Sequence, residues 1–131
     1  FARPALQAGE SVEVQLARSL EIARLRHTPV AWDKATLSRA AATETITVPA
    51  GEFEVERFTA AVAGDGRAPA RVWTFYVEKA APHRIIRWTR SDGVDARMTG
   101  ADRLAYWQLN GEGKQALLER VGLEPRGPRM P

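Results

Sequence analysis

Thr45-Ile46-Thr47-Val48-Pro49-Ala50-Gly51-Glu52-Phe53-Glu54-Val55-Glu56-Arg57-Phe58 is the stretch on which the fold turns. Its first limb is rich in β-branched residues, which suit a pleated, half-buried surface. Pro49 pre-sets φ for the first turn position, and Gly51 can take positive φ after a type I turn. That chemistry predicts a hairpin with a bulge. The returning limb is apolar at Phe53 and Val55, then aromatic at Phe58. Glu52, Glu54 and Glu56 alternate with them and read as the solvated face of a half-buried sheet.

Downstream, Gly64-Asp65-Gly66 marks a turn, followed by Pro69. Arg71-Val72-Trp73-Thr74-Phe75-Tyr76-Val77 is a strand by composition. Trp73, Phe75 and Val77 share one of its faces; Val72, Thr74 and Tyr76 share the other. Lys79-Ala80-Ala81-Pro82 turns the chain into a strand over 83–90. Asp92-Gly93 is a two-residue hairpin signal that returns it through 94–99. Three sequential hairpins make a meander.

Upstream, Ser11–Ile22 places Val12, Val14, Leu16, Leu20 and Ile22 on even positions, with Arg18 the exception. This near-strict alternation predicts a strand over the whole stretch, broken near Arg18. Around Thr28-Pro29 the pattern stops, and 32–42 is expected to be strand leading into Thr43–Val48. At the other end, Asn110-Gly111-Glu112-Gly113 is a breaker cluster, and Arg103–Leu109 reads equally as helix or strand. Leu117, Leu118 and Val121 then recur at helical spacing, with Gly122 placed to end the helix. A short helix packing on one sheet face is expected there, and a tail over 124–131 with three prolines. The expected fold is mainly β: a single domain over 1–131, built as a curved antiparallel meander sheet or half-barrel with a short C-terminal helix.

With 131 residues, 44% of them hydrophobic, the chain is long enough to bury a core without metal or disulfide support. No apolar run approaches the roughly 18 residues of a transmembrane helix, so no transmembrane segment is expected. The absence of cysteine removes thiol catalysis and cysteine-ligated zinc. The formal charge is +3, and all but Lys34, Lys79 and Lys114 of the 19 basic residues are arginine. These arginines are dispersed among acidic residues, which argues against a basic interaction patch. The chain begins at Phe1, and the accompanying expectation is an exported product whose leader has been removed.

Three segments together carry a resemblance: Glu44-Thr45-Ile46-Thr47-Val48-Pro49-Ala50-Gly51-Glu52-Phe53, Thr74-Phe75-Tyr76-Val77, and Pro82-His83-Arg84-Ile85-Ile86-Arg87-Trp88. They resemble bacterial exported or envelope-associated domains of unknown function that carry an E-T-(V/I)-T-V-P-A-G-x-F hairpin. The likeness covers roughly residues 43 to 100 and describes a turn and buried strand positions, not a reactive centre. It implies a periplasmic or secreted protein with a curved antiparallel sheet. A looser likeness to half-barrel lipoprotein carriers is architectural.

Constellations with chemical potential are few. A hydrolase would pair His27 or His83 with Ser91 or Ser38 and with Asp92 or Asp95, yet no nucleophile elbow is present. Two dispersed histidines do not make a metal site, and Gly64-Asp65-Gly66 leads into strand where a phosphate cradle would open a helix. Neither a catalytic residue nor a metal or cofactor is assigned. Arg84, Trp88 and Arg90, placed on one strand face, would be the platform of a nucleic-acid binder; Ile86 on that face and Asp92 and Asp95 beside it weigh against one.

Trp73, Phe75, Tyr76 and Trp88 are the candidate ligand-binding residues, able to line an apolar pocket or to fill a core, with Tyr106 and Trp107 approaching from the C-terminal section. The expected function is therefore a non-enzymatic exported domain that binds an apolar small molecule or a protein partner in the bacterial envelope. A hydrolase with His83 as base is the alternative, and a weak nucleic-acid binder the third reading.

Overall fold

The structure, a computed structural model, describes residues 6–66, 69–109, 111 and 113–124, with Ile22 and Arg26 described by their backbone alone. Six strands, β1 (Ser11–Ala17), β2 (Trp32–Val48), β3 (Gly51–Val62), β4 (Arg71–Glu78), β5 (Ile85–Arg90) and β6 (Asp95–Arg97), form one sheet in sequence order. Every neighbouring pair is antiparallel. The expected mainly β antiparallel meander is what the chain adopts, and the sheet is not closed.

The central hairpin follows its local chemistry. Val48 pairs with Gly51 across Pro49-Ala50, and Gly51 sits at φ 128°, a conformation that costs a residue with a Cβ. Sheet curvature begins at this turn. The Ala50 N–H donates to the Met98 carbonyl beyond β6 (3.1 Å), and the Met98 N–H donates to Ile86 (2.9 Å). The sheet therefore curls across four strands until the β2–β3 turn touches its far side.

Residues directly opposite one another share a face, so the register defines two. The first face carries Val12, Val14 and Leu16 of β1, Ala35 and Leu37 of β2, and Phe58, Ala60 and Val62 of β3. Arg71, Trp73 and Phe75 of β4 and Trp88 and Arg90 of β5 continue it. On the second face a transverse row runs Ser11–Ser38–Thr59–Thr74–Thr89–Asp95, hydroxyl after hydroxyl up to the closing carboxylate. Towards the β2–β3 turn the polarity of the faces inverts. There Val48, Val55 and Ile86 of the second face form a buried cluster, joined by Ile46, Phe53, Tyr76 and Met98.

Two irregularities accommodate the inversion. Between the pairs Arg39↔Phe58 and Thr43↔Glu56, Ala40, Ala41 and Ala42 stand against Arg57 alone. In β5 the register shifts between Tyr76↔Arg87 and Val77↔Ile85, leaving Ile86 as the extra residue of a bulge. Ile86 is fully buried while Ile85 is exposed, the re-aiming of a side chain that bulges produce.

Two expectations need correction. The strand predicted over Ser11–Ile22 ends at Ala17, and Leu20–Arg26 is a short helix, α1. The ladder with β2 stops at Ala17↔Trp32, so residues beyond Arg18 have no strand to pair with. Leu20, Glu21, Ala23, Arg24 and Leu25, all favourable in helices, then satisfy their backbone locally, and His27 closes α1 in the left-handed region.

The C-terminal helix exists over Gln115–Val121, but it is a 3₁₀ helix with no buried residue. It is tied to the strand end through Thr99 Oγ1, which donates to the Val121 carbonyl at 2.8 Å, instead of packing on a sheet face. Tyr106–Gln108 is a second, short 3₁₀ turn. Asn110 and Glu112 of the breaker cluster, and the tail beyond Glu124, lie outside the described residues. No helix among the described residues is long and apolar enough to cross a membrane.

A candidate ligand cavity on the first face

The first face does not close on itself. A cavity of about 290 Å³ lies against it, walled by Leu16, Ala60, Val62, Pro69, Trp73 and Phe75 and edged by Arg18, Asp33 and Arg71. The β1–β2 and β3–β4 ladders make the wall. Leu16 stands opposite Asp33, Val62 opposite Arg71, and Ala60 opposite Trp73. Small Ala60 facing large Trp73 leaves the space that a larger residue would occupy. The volume is at the lower end of the roughly 300–1,000 Å³ typical of small-molecule sites.

Structure at the edge is held by ion pairs. Arg18, the residue that interrupts the alternation of Ser11–Ile22 just beyond β1, is buried. Its Nη2 donates to Asp33 Oδ1 at 2.6 Å and to Asp65 Oδ2 at 2.6 Å, and its Nε lies 3.2 Å from both Asp33 oxygens. Hydrogen bonds to Asp33, then to Asp65, drive the Arg18 pKa above its ordinary value, so this cation is neutralised by two carboxylates. On the far side of the first face, Arg39 stacks on Phe58 with Cζ 5.7 Å from the ring. It bonds Glu56 at 2.8 Å and the Leu6 carbonyl at 2.9 Å. Buried Leu6 thereby covers that part of the sheet. From the opposite side Arg90 Nη1 reaches Glu21 of α1 at 3.3 Å.

Arg71 differs from these. Its Nε and Nη1 are shut off from solvent and have no hydrogen-bond partner among the described residues. Asp92 feels its charge through space, but that carboxylate accepts a 2.7 Å hydrogen bond from Arg90 Nε.

Of the expected ligand-binding residues, Trp73 and Phe75 line the cavity. Trp88 stands opposite Phe75 on the same face, one strand further along. Tyr76 is on the other face, packed against the buried cluster at the turn end, with the Arg87 guanidinium 5.4 Å from its ring centroid. Tyr106 and Trp107 stack edge to face on each other at 5.4 Å and are exposed, away from the cavity wall. Leu16, Arg18, Asp33, Ala60, Val62 and Arg71 also line the cavity, beyond the four residues expected from the sequence. For Arg71 the signal was present, because 71, 73 and 75 alternate onto one face.

The other constellations are dispersed. Ser91 and His83 lie beyond opposite ends of β5, a strand of roughly 20 Å at about 3.3 Å per residue. The Ser91 hydroxyl accepts the Val72 N–H at 3.1 Å, and His83 Nδ1 lies 3.2 Å from the Glu78 carbonyl. Arg84 does not share a face with Trp88 and Arg90 as expected. The Ile86 bulge turns it to the second face, where it makes two 2.8 Å hydrogen bonds to Glu78 and lies 5.7 Å from the Phe53 ring. Glu56 departs from the solvated face predicted for it and is buried against Arg39; Glu54 stays exposed, bonded to Lys79 at 2.7 Å. Among the described residues no group of three or more histidines or carboxylates could hold a metal ion.

Comparison with protein-family models, with curated proteins and with solved structures found no match to this chain.

Proposed function

We propose that this domain is a non-catalytic binding module that takes up a small apolar molecule in the first-face cavity. The observation that carries this reading is the cavity itself: ligand-sized, walled by aromatic and aliphatic side chains of three strands, and edged by a few fixed polar groups. Such a combination of apolar walls and sparse polar groups is the usual form of a small-molecule site. The separation of Ser91 from His83 supports a binding role over a hydrolytic one. Placement in the bacterial envelope follows the resemblance carried by the Glu44–Phe53 hairpin and the strands after it.

The cavity has room for roughly ten water-sized groups at about 30 Å³ each, which makes 1-octanol a fitting neutral probe. Calorimetric titration of the full chain with 1-octanol should give saturable, one-to-one binding with a negative heat-capacity change, the mark of buried apolar surface. Absence of saturable heat at two temperatures would remove the reading.

A further inference from the structure

We infer that the molecule held in this cavity carries a carboxylate beside its apolar body, and that Arg71 receives it. The inference rests on the ligand-binding reading above and specifies its chemistry. The sheet treats its arginines uniformly: Arg39, Arg57, Arg84, Arg87 and Arg90 each bond a carboxylate of a neighbouring strand or turn. Arg71 is the departure, with two N–H groups closed to water and without an acceptor among the described residues. A buried donor in that state is costly, and each such group in a folded protein calls for an explanation. Those two N–H groups do not open on the cavity, but their guanidinium borders it directly, in register with Val62 and two residues from Trp73, as the edge cation that no carboxylate of the described residues bonds.

The second cation at the edge cannot serve instead. Arg18 is held between two carboxylates, Asp33 and Asp65, and Asp33 borders the cavity, where it repels an anion. A ligand carboxylate is thus directed away from Asp33 and towards Arg71, with its chain along Val62, Trp73 and Phe75. Anionic recognition suits arginine, which stays charged at any working pH and forms short, charge-assisted hydrogen bonds to carboxylates. A volume of about 290 Å³ covers one short chain, the size of a free medium-chain carboxylate.

The test compares octanoate with 1-octanol, two probes of nearly equal size, by calorimetry at neutral pH on the full chain. Octanoate should bind about tenfold more tightly or better, the expectation for one hydrogen bond to a charged group. Arg71→Met should abolish the preference, so that octanoate binds the variant no more tightly than octanol binds the same variant. The inference fails if octanol binds and octanoate binds no better, or if Arg71→Met keeps the preference; the ligand-binding reading survives either result. Binding of neither probe overturns both. The wild-type comparison requires no variant, so it decides the matter even where Arg71→Met does not fold.

Discussion

At the turn end of the β2–β3 ribbon, Val48, Val55 and Ile86 close on one another until Val55 and Ile86 have no exposed surface. At the far end, Ala60, Val62, Trp73 and Phe75 stand round open space. The same two strands make both regions, yet they bury opposite faces. At the turn end the odd residues of β3, Phe53 and Val55, point inward, and beyond Arg57 the even residues Phe58, Ala60 and Val62 take over. Arg39 and Glu56, paired at 2.8 Å on the first face, mark the changeover. The difference separates two jobs. A close-packed cluster supplies stability, because interiors at crystal-like density feel the loss of a single methylene. A hollow region sacrifices such contacts and keeps room for something else.

The contrast can be broken most forcefully at Ile86. Ile86→Ala should cost about 2–5 kcal/mol, the usual range for deleting a buried branched side chain, read as a shift in urea midpoint at constant slope. A loss under about 1 kcal/mol would mean the turn end is not the stabilising region. The opposite substitution sharpens the comparison. Ala60→Leu grows a side chain into the cavity, so stability should hold or rise by up to about 1 kcal/mol while octanol uptake disappears. If Ala60→Leu destabilises the chain as an overpacked core would, the space is smaller than its outline.

The smallest effect is expected at the exposed edge of the second face. Hydrogen bonds from Arg87, then Arg97, hold the Asp95 carboxyl at about 2, below its ordinary 3.8. A depressed carboxylate pKa contributes stability that is complete above the unfolded value and is lost as pH falls through the folded one. Stability should therefore decline from about pH 4 towards pH 2, and Asp95→Asn should flatten that part of the profile without touching either buried region. Asp92, Glu54 and Glu78, also lowered by cationic neighbours, titrate in the same direction and preserve a residual slope in the variant.

Much of this arrangement is visible in the residues. Hairpins at Pro49-Ala50-Gly51 and Asp92-Gly93 follow from turn chemistry, and Gly93 takes φ 100° as such a turn requires. The inversion of faces is visible too: Phe53 and Val55 keep one parity and Phe58 breaks it. What period could not show was set by distant partners. Seven-residue α1 is too short to persist by itself, so its apolar positions read equally well as strand until the end of the β2 ladder is known. Alanine fits every environment, which is why Ala40–Ala42 announces no irregularity. The Ile86 bulge moves Arg84 to the opposite face by one unpaired residue, a shift that alternation counts cannot detect. In the cavity, Trp73 and Phe75 could be expected from composition. The unpartnered N–H groups of Arg71 could not, since they depend on where the carboxylates of the described residues have gone.

The long β2–β3 ribbon also decides how the molecule opens. Seventeen residues of β2 and twelve of β3 run through both regions, and the backbone hydrogen bonds between Ala50, Met98 and Ile86 fasten the turn to the opposite strands. Neither end can melt without stripping pairing from strands that the other end uses. Amide protons along β2 and β3 should therefore exchange with solvent as one cooperative unit, at the free energy of global unfolding, while α1 and the C-terminal turns exchange by local fraying. Occupation of the cavity would then slow exchange at the distant turn through the shared strands alone.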